Sequence, residues 1–156
     1  MSLTNLLSRF KDTFAAQSSS AASQGHHPIR LATAAVLLEI GYADGKFTPD
    51  EGGDLAGYLE QAFSLDREES NDLIDAAAEI RSKTIDHFAL TNFIRKSASL
   101  AERIEIVKTM WRMVYRDGKL DQYESYLVRK LADLLGLEHH VMIDAKTAVL
   151  DERGRH

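Results

Sequence analysis

Apolar residues recur at helical spacing along nearly the whole chain, and no segment alternates at the period of a strand. Leu3, Leu6, Leu7, Phe10 and Phe14 form the stripe of an amphipathic helix over 3–16, so residues 1–16 read as an N-terminal amphipathic helix. Gln17, Ser18–Ser20, Ser23 and Gly25 then mark 17–27 as a flexible linker. Pro28 suits the first turn of a helix, because its missing N–H would be unpaired there anyway. From that point Leu31, Ala34, Ala35, Leu38 and Tyr42 trace one face, which stops at Asp44-Gly45. Further helices follow from Thr48 to about Phe63, over Arg67–Lys83, and over Phe88–Lys96. Ser99-x-x-Glu102 is a capping box that opens the next, through Ile106, Met110 and Met113. Two more run from Asp121 to Leu135 and from His139 to Leu150. The pattern predicts an all-α domain over 28–150, of about seven helices.

One phrase occurs twice within that pattern. Asp44-Gly45-Lys46-Phe47-Thr48-Pro49-Asp50-Glu51 and Asp117-Gly118-Lys119-Leu120-Asp121-Gln122-Tyr123-Glu124 share D-G-K-apolar-x-x-x-E at a constant offset of 73 residues. Leu37 and Met110, Ile40 and Met113, and Tyr42 and Tyr115 keep the same offset. Phe63-Ser64-Leu65 matches Leu135-Gly136-Leu137 once one residue is dropped. The domain is therefore expected as two pseudo-symmetric helix–turn–helix halves, each with a third helix behind it.

The 156 residues suffice to bury one core. No apolar stretch is long enough to cross a bilayer, and Arg9, Lys11 and Asp12 interrupt any secretory pattern at the N-terminus. Without a single cysteine, thiol catalysis, disulfides and thiolate metal sites are excluded, and a reducing cytoplasm fits. The net charge of −5 argues against a nucleic-acid binder; Arg112, Arg116, Lys119, Arg129 and Lys130 read as a solvated face balancing neighbouring acids. The stripe on 3–16 needs a partner: the body of the domain, a second copy, another protein or a membrane surface. Arg9 and Lys11 against Asp12 give weak attraction to anionic lipid, so docking on protein is the favoured expectation over peripheral membrane association.

The repeated acids have two explanations. Thr48-x-x-Glu51 and Asp121-x-x-Glu124 are capping boxes, in which N-cap side chain and N3 carboxylate satisfy each other's backbone amides, at about 1 kcal/mol per cap. Asp44 and Asp117 fall outside that explanation. Each ends a helix, where the macrodipole disfavours an anion. Lys46 and Lys119, or an Asx-type bond to the turn amides, offer structural offsets. A bound cation is the functional alternative. With glycine taken as position 6 of an EF-hand loop, the aspartates and glutamates fall at positions 5 and 12. Positions 1 and 3 are Ile40 and Tyr42, or Met113 and Tyr115, which cannot ligate. Neither loop alone meets the six to eight oxygens that Ca²⁺ takes. Convergence of both loops would let Asp44, Glu51, Asp117 and Glu124 supply four carboxylates to Ca²⁺, Mg²⁺ or Mn²⁺ in preference to Zn²⁺, with Asp50 and Asp121 nearby.

Other chemistry has little basis. His26-His27 lies in the linker, His87 is isolated, and His139-His140 point about 100° apart on a helix, unable to chelate one ion together. His140 and Asp144 read as a surface pair. There is no G-x-S-x-G, no phosphate-cradling glycine loop and no H-E-x-x-H, so no catalytic constellation is expected. Trp111, Tyr115, Tyr123 and Tyr126 read as core and inter-helix packing.

Tyr42-Ala43-Asp44-Gly45 with Glu51, the run Met110-Trp111-Arg112-Met113-Val114-Tyr115-Arg116-Asp117-Gly118-Lys119-Leu120-Asp121-Gln122-Tyr123-Glu124, and its continuation Leu127–Leu137 resemble the TerB (tellurite-resistance protein B) family over roughly 28–150. The resemblance implies about seven helices in two pseudo-symmetric halves, and a role in tellurite resistance and stress response. It further implies an interaction module in complexes near the inner face of the membrane, with metal held by acidic residues, here Asp44, Glu51, Asp117 and Glu124. Two departures stand out. Arg116 replaces the Ala43 of the first copy and puts a cation beside Asp117, and Gly52-Gly53 loosens the second helix. The contrasting expectation is a metal-independent scaffold whose N-terminal helix mediates assembly, as a homo-oligomer or with a partner.

Overall fold

A computed structural model describes residues 28–43, 49–82, 87–116 and 122–154 of the chain. Among them are seven helices and no strand: α1 (Pro28–Gly41), α2 (Pro49–Phe63), α3 (Arg67–Ser82), α4 (His87–Ser97), α5 (Leu100–Val114), α6 (Gln122–Leu134) and α7 (His139–Gly154). The expected N-terminal helix and the 17–27 linker lie outside the described residues. So do both D-G-K turns.

The pattern reads α1 as a one-sided stripe, yet the helix is buried all round. Every residue from Leu31 to Leu38 is buried, as are Ile40 and Gly41. Ala32, Ala34 and Ala35 keep its girth small, which lets neighbours pack close to its axis. Helices α2, α3, α4, α5 and α6 all pack on it. A helix without a polar face belongs in a core, and α1 is this domain's axis.

Helix α5 repeats the arrangement. It packs on α6 and α7 as α1 packs on α2 and α3, and it lies against α1 itself. Helix α4 bridges the halves by docking on α1 and α6. Trp111, fully buried, closes the second half: its ring stacks on Tyr115 at 5.9 Å between centroids and receives the Lys146 ammonium of α7 at 5.2 Å. Tyr123 and Tyr126, by contrast, are more than half exposed, on the outer face of α6. Helix α7 runs four residues beyond Leu150, and Glu152 on that extension takes both Arg112 Nε and Nη2, at 3.1 and 2.9 Å.

Local signals explain the boundaries. The Ser99–Glu102 capping box is present in both directions, with Glu102 N–H donating to Ser99 Oγ at 3.1 Å and Ser99 N–H to the Glu102 carboxylate at 2.9 Å. Those bonds hold the Glu102 carboxyl below its ordinary range. Asp66 and Glu69 form a second box at the start of α3, at 2.8 and 3.1 Å. The matched triplets at the ends of α2 and α6 are also structural equivalents. Leu65 N–H reaches Glu60 O at 3.1 Å, and Leu137 N–H reaches Ala132 O at 3.1 Å, each the long bond of a Schellman cap. The left-handed position is Ser64 in one (φ 54°) and Gly136 in the other (φ 83°).

A left-handed conformation costs a residue with a Cβ roughly 1–2 kcal/mol and glycine almost nothing. Ser64→Gly is therefore expected to raise stability by up to about 1 kcal/mol, and Gly136→Ala to lower it by about 1–2 kcal/mol, with Arg95 and Arg103 crowding the added methyl. Urea unfolding at constant m measures both; equal midpoints in all three proteins would contradict the shared cap.

Candidate functional site

The flanks of the two repeated turns are fixed by charged contacts. At the exit of α1, Glu39 pairs with Arg81 of α3 at 2.8 Å, and the Arg81 guanidinium lies 4.5 Å above the Tyr42 ring. These contacts anchor the chain two residues before Asp44. At the exit of α5, Arg116 Nη1 donates to Asp54 Oδ1 at 3.1 Å. This pair joins the two repeats. Arg116 immediately precedes Asp117, and Asp54 follows Glu51 by three residues on α2.

Of the four sequence-predicted ligands, Asp44 and Asp117 lie outside the described residues. Glu51 falls in the first turn of α2, and its side chain is likewise not described. Glu124 is half-buried in the first turn of α6 and is already engaged in an interaction. Among the described residues, no three His, Asp or Glu side chains gather as a metal centre would require. Thr48 and Asp121, the N-caps expected to pair with Glu51 and Glu124, are not described either. His140 sits 3.4 Å from Glu138, both well exposed, instead of pairing with Asp144.

A groove adjoins this junction. It holds about 600 Å³ between the start of α1, one face of α2 and the outer face of α5. Ile29 and Thr33 line it from α1, Gly53, Gly57 and Phe63 from α2, and Ala101 and Ile106 from α5. Its rim carries Asp54, Glu102 and Glu105 against Arg112. Arg112 is itself matched by Glu152, whose carboxyl it holds below the ordinary range. The sequence hid this groove, because its residues come from three helices and none forms a motif. One signal was visible in the glycines of α2. Each costs a helix interior about 1 kcal/mol relative to alanine, and a Cβ built on Gly53 or Gly57 meets nothing within 4 Å. Packing among the described residues does not require either glycine.

Tyr58 stands in the groove. Burial, with Glu105 and Glu102 adding negative charge, pushes its phenol well above the ordinary value, while Arg112 pulls the other way. The phenol is a neutral hydrogen-bonding group throughout the physiological range.

A family model described as "Tellurite resistance protein TerB" matches residues 30–147, which reach from the start of α1 into α7. No curated protein and no solved structure matches the chain.

A phenol whose folded pKa lies above its unfolded value contributes stability that is complete below the unfolded pKa of 10.0 and lost as the pH rises past it. Urea midpoints of the wild type should therefore fall more steeply above pH 10 than those of Tyr58→Phe. Parallel profiles would place the Tyr58 hydroxyl in water.

Proposed function

Because the chain belongs to the TerB family of tellurite resistance proteins, we propose that it is a non-enzymatic interaction module of a tellurite-resistance and stress-response system, holding a divalent cation at its two D-G-x-x-x-x-x-E turns. One observation carries this reading: the Arg116–Asp54 pair links the end of α5, which leads into Asp117, to the first turns of α2, which carry Glu51. The pair also bears on the charge that Arg116 places beside Asp117. A cation beside Asp117 would compete with a metal, but this guanidinium is drawn to Asp54 at 3.1 Å. Asp44, Glu51, Asp117 and Glu124 then form the donor set. Four carboxylates suit Ca²⁺, Mg²⁺ or Mn²⁺, whose remaining positions are filled by backbone oxygens and water. Binding would order both turns together and so bias a surface that a protein partner recognises. The compartment consistent with this reading is the cytoplasm, at the inner face of the membrane, and no described helix is long and apolar enough to cross it.

A second reading has its own support. This chain uses the same x-x-Glu spacing for purely structural capping at Ser99–Glu102 and Asp66–Glu69. Glu51 and Glu124 as caps alone would make the domain a metal-independent scaffold.

Calorimetric titration of Ca²⁺, Mg²⁺, Mn²⁺ and Zn²⁺ separates the two. The cation reading predicts saturable heat and a raised melting temperature with a hard cation, both lost in Asp44→Asn/Asp117→Asn. A wild type that gives neither heat nor a melting shift with any of the four leaves the scaffold.

A further inference from the structure

We infer that the groove between α1, α2 and α5 is the docking site of the chain's own N-terminal segment, with the Leu3, Leu6, Leu7, Phe10 and Phe14 stripe seated over Gly53 and Gly57. Three observations converge on that occupant. First, the groove opens where the segment is tethered. Ile29 and Thr33, which line it, lie within a turn or two of Pro28, the residue that the 17–27 linker enters. An eleven-residue chain of this Ser-rich composition is expected to span about 18 Å root-mean-square, and a helix over 3–16 would be about 21 Å long, lengths that match a groove opening beside Pro28. Second, the floor is shaped for a helix. Gly53 and Gly57, four apart on α2, have open space above their backbone, and missing side chains there let an incoming helix approach closely.

Third, the charges match. On a helical projection Arg9 and Lys11 flank the stripe on opposite sides, whereas Asp12 points directly away from it. Asp54, Glu102, Glu105 and Arg112 line the groove; Asp54 is paired with Arg116, Glu105 with Lys108 and Arg112 with Glu152, while Glu102 caps α5 through Ser99. Arg9 or Lys11 would thus meet the exposed carboxylates of Glu102 and Glu105, and the one acid of the segment faces water. Because the segment is tethered, its effective concentration is about millimolar, and even weak docking fills the groove.

The chain has no cysteine, so one introduced thiol places a probe cleanly. Asn5→Cys carries a nitroxide on the side of the segment away from the stripe. In the full-length protein, paramagnetic broadening is expected at the amides of Gly53, Gly57, Ala98 and Ala101. Leu6→Glu/Phe10→Glu, which alters only the segment, should abolish it. Gly57→Leu, which fills the groove where space is open, should abolish it too while leaving the helical circular dichroism unchanged. Broadening that appears only when spin-labelled protein is mixed with unlabelled, isotope-enriched protein would assign the groove to a second copy and overturn the inference. Absent broadening, broadening on another face, or groove broadening that survives both substitutions would also overturn it.

Discussion

Burial of α1 on every side is the constraint on which the rest of the domain depends. Leu31, Leu37, Leu38 and Ile40 leave almost no surface in water, and each side chain so buried contributes about 1.5–3 kcal/mol relative to exposure. Alanines at 32, 34 and 35 let surrounding helices approach the same axis. Neither half then has a core of its own. The first half wraps α1, the second wraps α5, and the two central helices complete one another. The exits of α1 and α5 are fixed by that shared core, and each exit leads into one copy of the repeated turn.

Helix α2 connects the two functional ideas. Its first turn carries Glu51, the next carries Asp54 against Arg116, and the following residues present Gly57 and Tyr58 to the groove. Ordering of the turns by a cation would act directly on the start of the helix that forms one groove wall. A segment seated over Gly53 and Gly57 would lie against the same stretch of that helix.

The fold was legible because helical periodicity and capping chemistry are local. Ser99-x-x-Glu102 announced α5 within one residue, and Pro28 announced α1. The triplets 63–65 and 135–137, matched once one residue of the repeat is dropped, end their helices in the same Schellman cap, at Ser64 and Gly136. What escaped was set by tertiary neighbours. Nothing local distinguishes a stripe on α1 from burial all round, since Ala32, Thr33 and Val36 suit either environment. Tyr123 and Tyr126 look like packing residues by type, yet both are more than half exposed among the described residues. The Asp54–Arg116 pair spans 62 residues, and the groove draws on three helices. The acids of the candidate site were visible as residue types and spacing, but their mutual distance is a tertiary quantity.

That distance is the central claim, and the ionisation of the carboxyls reads it without any metal. Side-chain carboxyl carbons of Asp44 and Asp117 can be titrated by ¹³C NMR in the cation-free wild type, in Asp44→Asn and in Asp117→Asn. Two carboxylates within about 6 Å raise one another's pKa, so removing one charge relaxes the other. Asp117 is expected to ionise at lower pH in Asp44→Asn, and Asp44 at lower pH in Asp117→Asn. Titration curves unchanged by either substitution would show two separate turns and contradict it.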